Sequence, residues 1–446
     1  MENDIFKFQK AILKLMYLFY FYCYSRRKLK EKVLHSNNLL YLFDERVKFW
    51  GKRMNRLYLD NASTTFPKPS CVTDAVAHYM KYAGTNIARG NYSSAYSVED
   101  TIFETREALV KLFHGPKPSN VIFTRNVTES LNLALKGLLN PNDHVVTSSM
   151  EHNAVMRPLV QLEKKGVTFE RVSCSPDGTL DPHKVEAAIT PNTRAVVMTH
   201  ASNVSGTVLP IKEVGKICAS RHVLFIVDAA QTAGVIPLDM QAMHIDMLCI
   251  TGHKGLLGPQ GIGALLLTDE AAAQLDPLVT GGTGSMSDSE EIPATLPDRF
   301  EAGTPNLPGI MGLHASLAWL CDRGIDSIYA HEIELTASFL KELEPLKRAG
   351  SVSVIGLPDT HGRVGVVSIQ TPGHDLAFVA RDLDAKFGIQ TRVGLHCAPS
   401  AHKTLKTFPT GTIRFSFGWA NTMADVDAAI SALKKILGTH ESIPSM

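Results

Sequence analysis

Two strand-like runs in this chain each end in a residue type capable of covalent or acid–base chemistry. Val223-Leu-Phe-Ile-Val227 runs into Asp228, followed by Ala229-Ala230-Gln231, and Asp246-Met-Leu-Cys-Ile-Thr251 runs into Gly252-His253-Lys254. A glycine-rich Gly255-Leu-Leu-Gly-Pro-Gln-Gly-Ile-Gly263 follows the lysine. A carboxylate and a lysine at the carboxyl ends of two such strands are what pyridoxal phosphate chemistry requires. The amine condenses with the cofactor's aldehyde, and the carboxylate keeps the pyridine nitrogen protonated so that the ring accepts electrons. Either residue alone reads as a surface lysine or a strand-end aspartate. The two together, in this order, favour the chemistry.

The elements that must position them follow from the hydrophobic pattern. From Val72 to Thr280 short apolar strands alternate with helical segments, the pattern of a mostly parallel sheet covered on both faces. Strands are predicted at Val121–Thr124, His144–Ser148, Val167–Val172, Ala195–Thr199, Val223–Val227, Met247–Thr251 and Ile262–Leu267. Helices are predicted at Val98–Phe113, Glu129–Leu138, Asn153–Lys165 and Ile211–Ala219. Ligands of open α/β sheets collect at the carboxyl ends of the strands, where Asp228 and Lys254 fall. Residues 281–306 are rich in Gly, Ser, Pro and acids and read as irregular. Beyond them, helices at Gly309–Arg323, Ile328–Leu346 and Asp425–Leu437 and strands at Val364–Gln370 and Thr412–Phe417 predict a smaller α/β domain, joined by Leu57–Lys68. The expected organisation is a large cofactor-binding domain over residues 70–308, a small domain from residues 54–69 with 309–446, and an N-terminal extension over residues 1–53.

Composition narrows the function classes. With 446 residues, 44% hydrophobic and 20% charged, the chain is an ordinary globular protein large enough for two domains. A net charge of +1 gives no drive toward nucleic acid. Seven scattered cysteines (23, 71, 174, 218, 249, 321 and 397) form no CxxC pair, which points to reduced thiols in the cytoplasm and to no metal site. The apolar run Ala11–Tyr24 is too short to span a bilayer and lacks a cleavage site. Its aromatics beside Arg26-Arg-Lys-Leu-Lys-Glu-Lys32 also suit a membrane-surface helix, but it reads rather as an upstream extension to a functional chain starting near Met54.

Thr251-Gly-His-Lys254-Gly, Asp228-Ala-Ala-Gln231 and Arg392-Val-Gly-Leu-His-Cys397-Ala-Pro resemble the cysteine desulfurases of the class V aminotransferase superfamily. The Cys397 segment is similar to the short-loop desulfurase and selenocysteine lyase branch, and the resemblance runs from about Tyr58 to about Leu437. It implies a fold-type I pyridoxal phosphate transferase, with a seven-stranded, mostly parallel sheet in the large α/β domain. It also implies roles. Lys254 holds the cofactor, Asp228 faces the ring nitrogen, and His152 stacks on the ring and takes part in proton transfer. Asn203 and Gln231 approach the phenolic oxygen. Thr251 and His253 hydrogen-bond the phosphate, and Thr304 reaches a neighbour's phosphate in a homodimer with shared sites.

Other assignments rest on the residues as well. Thr128, in Phe123-Thr-Arg-Asn-Val-Thr128-Glu-Ser130, is expected to cap a helix whose free N–H groups hold the phosphate. Arg414, in an apolar strand, suits bidentate pairing with a substrate carboxylate, with Arg392 and Arg89 as further candidates. Cys397, preceded by His396 and close to Arg392, has a setting expected to favour an exposed thiolate nucleophile. Many members of the branch carry a second histidine where this chain has Leu395, which leaves sulfur versus selenium open. The expected activity is removal of sulfur from L-cysteine, giving L-alanine and a persulfide on Cys397 for an acceptor protein, for iron–sulfur assembly or thio-modification. The alternatives are selenocysteine lysis, a class V aminotransferase with a structural Cys397, and a non-catalytic sulfur-transfer scaffold, against which the intact Lys254, Asp228 and Cys397 set speaks.

Overall fold

The computed structural model describes residues 56–87 and 93–438. Arg89 and the extension over residues 1–53 lie outside the described residues. Within them the strands are, in chain order, β1 (Leu57–Tyr58), β2 (Val121–Thr124), β3 (His144–Ser148), β4 (Thr168–Val172), β5 (Thr193–Thr199), β6 (Leu224–Asp228), β7 (Met247–Thr251), β8 (Gly263–Leu267), β9 (Ser353–Ile355), β10 (Val366–Gln370), β11 (Ile389–Gln390), β12 (Arg392–Gly394) and β13 (Thr412–Ser416).

Seven of them form one sheet in the order β2-β8-β7-β6-β5-β3-β4. The pairs β7–β6, β6–β5, β5–β3 and β3–β4 are parallel, and β8 alone runs antiparallel to its neighbours β7 and β2. The architecture is therefore α/β with a mostly parallel seven-stranded sheet, as expected. Strand alternation divides its side chains between two cores. Val227, Leu248, Ile250 and Leu266 face a core with Leu109, Phe113, Val214 and Leu313. Ile226, Met247, Cys249 and Leu265 face another with Leu131, Leu135, Leu159 and Ala272. Both faces being covered explains why β6, β7 and β8 read as continuous apolar runs rather than alternating ones.

A second sheet, β12-β13-β10-β9, is antiparallel throughout. It shares a core with the helices Ile325–Arg348, Leu376–Phe387 and Met423–Gly438, through Phe339, Leu383, Phe415 and Leu433. Helix Leu307–Arg323 joins the core of the large sheet instead, through Leu313, Leu317 and Leu320. β1 pairs in parallel with β11, and a bridge from Asp60 to Ser416 sets the segment after β1 beside β13.

Helix caps correct one expectation. Thr128 does not cap the helix Val127–Leu138. The cap is Asn126, whose backbone is extended and whose side chain accepts from the Glu129 N–H at 3.1 Å. Thr128 lies in the first turn, exposed. His152 caps the next helix, Asn153–Glu163.

Candidate active site

Because β3, β5, β6 and β7 are parallel neighbours, their carboxyl ends lie along one edge of the sheet; Asp228 ends β6, and the segments after β3, β5 and β7 carry His152, Asn203 and Lys254. Asp228 is buried, and its Oδ1 accepts from the Ala230 N–H at 2.9 Å. Burial raises its pKa, opposed by that N–H and by the positive charge of Lys254. Lys254 is half-buried, and burial lowers its amine to about 8, opposed by Asp228 and reinforced by Arg414 and Arg392. An amine in that range is far more often neutral near pH 7–8 than an ordinary lysine, as attack on an aldehyde requires.

Polar atoms beside Lys254 show that the residues fit pyridoxal phosphate. Thr251 Oγ1 and His253 Nδ1 are buried without a hydrogen-bond partner. Orphaned buried groups of this kind cost about 1–3 kcal/mol each unless a ligand meets them. Two of them lie just before a lysine, with a buried carboxylate on the adjacent strand. That set matches a phosphate, an aldehyde carbon and a pyridinium N–H. His253 is lowered to about 4, by burial first and then by Lys254 and Lys68, and so stands neutral.

His152 is lowered to about 4 for the same leading reason, with Lys254, Arg392, Arg157 and Arg414 adding to the effect. Its Nδ1 accepts from the Ala154 N–H at 3.0 Å, so the proton of the neutral ring sits on Nε2. Gln231 Nε2 donates to the Ala62 carbonyl at 3.1 Å, and Asn203 Nδ2 donates to the His396 carbonyl at 2.8 Å.

Arg392 and Arg414 are cross-strand partners in the β12–β13 ladder. Arg414 is buried; its Nη1 donates to the Asn203 carbonyl at 2.9 Å and its Nη2 to Asp60 Oδ1 at 2.6 Å. It is thus partly an internal ion pair, while its Nε remains buried without a partner.

Cys397 is exposed on the turn after β12. That turn uses left-handed backbone at three nearby positions, Gly394 (φ 109°), His396 (φ 47°) and Cys397 (φ 57°). It is pinned by two segments following strands of the large sheet, by Asn203 as above and by the Asn153 N–H, which donates to the Cys397 carbonyl at 2.8 Å. The buried His396 ring sits against Thr412 Oγ1 at 2.9 Å.

The expected residues Lys254, Asp228, Gln231, Asn203, Thr251, His253, His152, Arg392, Arg414 and Cys397 are carried by elements meeting around this edge. Thr128 and Thr304 line one cleft together with Asn126 and Gly303.

Sequence reasoning missed two contributors. One is Glu151, fully buried behind His152, which accepts from Ser148 Oγ at 2.5 Å and from the Thr199 N–H at 3.0 Å. The other is residues 60–68, which strap the lysine. Thr64 Oγ1 (3.1 Å), the Thr65 N–H (3.1 Å) and Lys68 Nζ (2.7 Å) all donate to the His253 carbonyl, and Thr65 Oγ1 donates to the Lys254 carbonyl at 2.6 Å. A run of Asn-Ala-Ser-Thr-Thr carries no periodicity, so only its density of hydroxyls hinted at this.

Comparison with known proteins agrees with this geometry. The class-V aminotransferase family model matches residues 57–429. A protein of Methanothermobacter thermautotrophicus named "Probable cysteine desulfurase" is 34% identical over 388 residues, covering 86% of this chain and 95% of its own length. One of the same name from Aeropyrum pernix is 33% identical, covering 89% and 98%. Among solved structures, the apo cysteine desulfurase of Thermococcus onnurineus is similar with a TM-score of 0.80 at 30% identity, covering 86% of this chain and 95% of that one. A cysteine desulfurase of Escherichia coli in its S-sulfonic acid form is similar with a TM-score of 0.75 at 27% identity and the same coverage.

Proposed function

The chain belongs to the class-V aminotransferase family, and from that premise we propose that it is a pyridoxal phosphate-dependent cysteine desulfurase that converts L-cysteine to L-alanine and carries the released sulfur as a persulfide on Cys397. The observation that carries this reading is the exposed Cys397, tied by its own carbonyl to Asn153, the residue after His152.

When bound, pyridoxal phosphate supplies an aldehyde that captures amines and a ring that takes up the electrons left at the substrate's Cα. Lys254 would hold the group and, once released by substrate, move the Cα proton. Asp228, poised by burial and by Lys254, would keep the ring nitrogen protonated. Thr251 Oγ1 and His253 Nδ1 would meet the phosphate, with Thr128 a further contact. His152, neutral with its proton on Nε2, would stack on the ring and donate from that atom. Asn203 and Gln231 would approach the phenolic oxygen, each having one amide N–H to spare. Arg414 and Arg392 would fix the substrate carboxylate and so choose which Cα bond is broken. Arg89 is proposed for the same pocket.

The Cys397 thiolate would attack the substrate sulfur, forming the S–S bond as the substrate's carbon–sulfur bond breaks. The electron pair stays on carbon, and reprotonation there yields alanine. An acceptor protein, serving iron–sulfur assembly or thio-modification, would then take the sulfur. Thr304 reaching a second copy's phosphate belongs to this reading and makes the enzyme a homodimer. A cytoplasmic setting fits its free cysteines.

The proposed domain division remains residues 70–308 and residues 54–69 with 309–446. Helix Leu307–Arg323, at the boundary, packs in the core of the large sheet. The test of the function is direct. Protein loaded with pyridoxal phosphate and given L-cysteine releases alanine in step with sulfur recovered by reductant. Cysteine consumption with pyruvate or a transaminated product in place of alanine contradicts it.

A further inference from the structure

Two guanidiniums held directly opposite each other across a β-ladder repel, and such like-charge pairs are ordinarily avoided. Arg392 and Arg414 form such a pair on β12 and β13. Both point to one hydroxyl. Ser63 Oγ lies 2.7 Å from Arg392 Nη1 and 2.7 Å from Arg414 Nη2. The same oxygen lies 2.8 Å from Asp60 Oδ1, which also accepts from Arg414 Nη2 at 2.6 Å.

The hydrogen-bond accounting closes at this atom. A serine hydroxyl has two lone pairs and one proton. Here the lone pairs accept from the two arginines and the proton goes to Asp60. Ser63 is anchored as well, because Tyr58 Oη donates to the Thr64 carbonyl at 2.8 Å and the Ala62 N–H donates to Ser416 Oγ at 2.9 Å. Two residues on, Thr65 Oγ1 holds the Lys254 carbonyl. One short strap thus connects the lysine to both cations.

We propose that Ser63 is a positioning residue for the α-carboxylate of the substrate: it fixes Arg392 and Arg414 side by side, while Asp60 cancels one of their charges so that the pair presents a net charge of +1 to a single carboxylate. This rests on the desulfurase reading for its substrate, and extends it to a residue that touches neither sulfur nor cofactor. Only one of the five Arg392 N–H groups is used by Ser63, and Arg414 keeps its buried Nε free, so donors remain for the ligand.

The experiment compares Ser63→Ala, Ser63→Cys and Ser63→Thr with the wild type in the cofactor-loaded enzyme. Spectral titrations with L-alanine, which carries the carboxylate, and with cysteamine, which lacks it, give affinities without turnover. Ser63→Ala and Ser63→Cys are expected to weaken L-alanine about tenfold, within the range for a lost hydrogen bond to a charged group. They are expected to leave cysteamine unchanged and to raise KM for L-cysteine with kcat kept. Ser63→Thr, which retains the hydroxyl, is expected to restore both the L-alanine affinity and the KM. Equal weakening of both ligands, or of neither, overturns the proposal. If the wild type binds L-alanine but releases none from L-cysteine, the desulfurase reading fails while the titrations still judge Ser63.

Discussion

The Asn153 N–H donates to the Cys397 carbonyl at 2.8 Å, so the helix that His152 caps also holds the turn carrying the exposed thiol. His152 and Cys397, 245 positions apart in the sequence, are thereby linked through one backbone hydrogen bond. In the proposed reaction, where His152 moves a proton and Cys397 takes the sulfur, this contact gives both a common frame.

The state of Lys254 sets the pH at which the apo-protein takes up pyridoxal phosphate. Burial lowers the amine from its ordinary 10.5 to about 8, and only the neutral amine attacks an aldehyde. The rate of borohydride-fixable incorporation is therefore expected to rise with pH through about 8 and then level off. A midpoint near 10.5 would show that the lysine is not buried as described. Lys254→Ala should abolish the fixable fraction.

Glu151 is expected to make the cofactor-free protein less stable as pH rises. Burial lifts its carboxyl from 4.5 to about 8, in spite of the Ser148 hydroxyl and the Thr199 N–H. Between those values the folded state binds more protons than the unfolded state. This contribution to stability is complete below about pH 4.5 and is lost as pH climbs through about 8. Thermal melts of wild type and Glu151→Gln across pH 5 to 8 check the sign. The mutant should show a flatter profile, and parallel profiles would rule the effect out.

Gly394 tests whether the geometry of the thiol turn matters. Its φ of 109° is costly for any other residue, yet a Cβ there would meet no atom within 4 Å. Gly394→Ala should therefore act through backbone strain alone, at about 1–3 kcal/mol. Retilting of the turn is expected to slow persulfide formation in a single turnover by about tenfold, with cofactor loading unchanged. An unaltered rate would mean that the turn tolerates other conformations.

Much of this site could be read before the fold was seen, for definable reasons. β6 and β7 announce themselves because they are buried on both faces, and each then stops at a polar residue with chemistry, Asp228 or Thr251 leading to Lys254. β12 was not legible. Three residues are too few to show alternation, and Arg392-Val-Gly394 reads as part of a loop, so the pairing of Arg392 with Arg414 was hidden. Asn126 and Thr128 are both good caps, and which one serves depends on where the backbone leaves the extended region. Glu151 and Ser63 escaped for a common reason: each has one partner three positions away but also holds residues far off in sequence, Thr199 or Arg392 and Arg414, and no local pattern marks a polar side chain that will be buried or shared.

The central claim is that Cys397 carries the sulfur. Its most direct test is a single turnover of cofactor-loaded protein with L-cysteine and no reductant, followed by alkylation and mass analysis of the peptide containing residue 397. One added sulfur on Cys397, formed with one alanine per site and absent in Cys397→Ser together with the alanine, is the expected result. Alanine at wild-type yield from Cys397→Ser, or the added sulfur on another cysteine such as Cys174, would contradict the account.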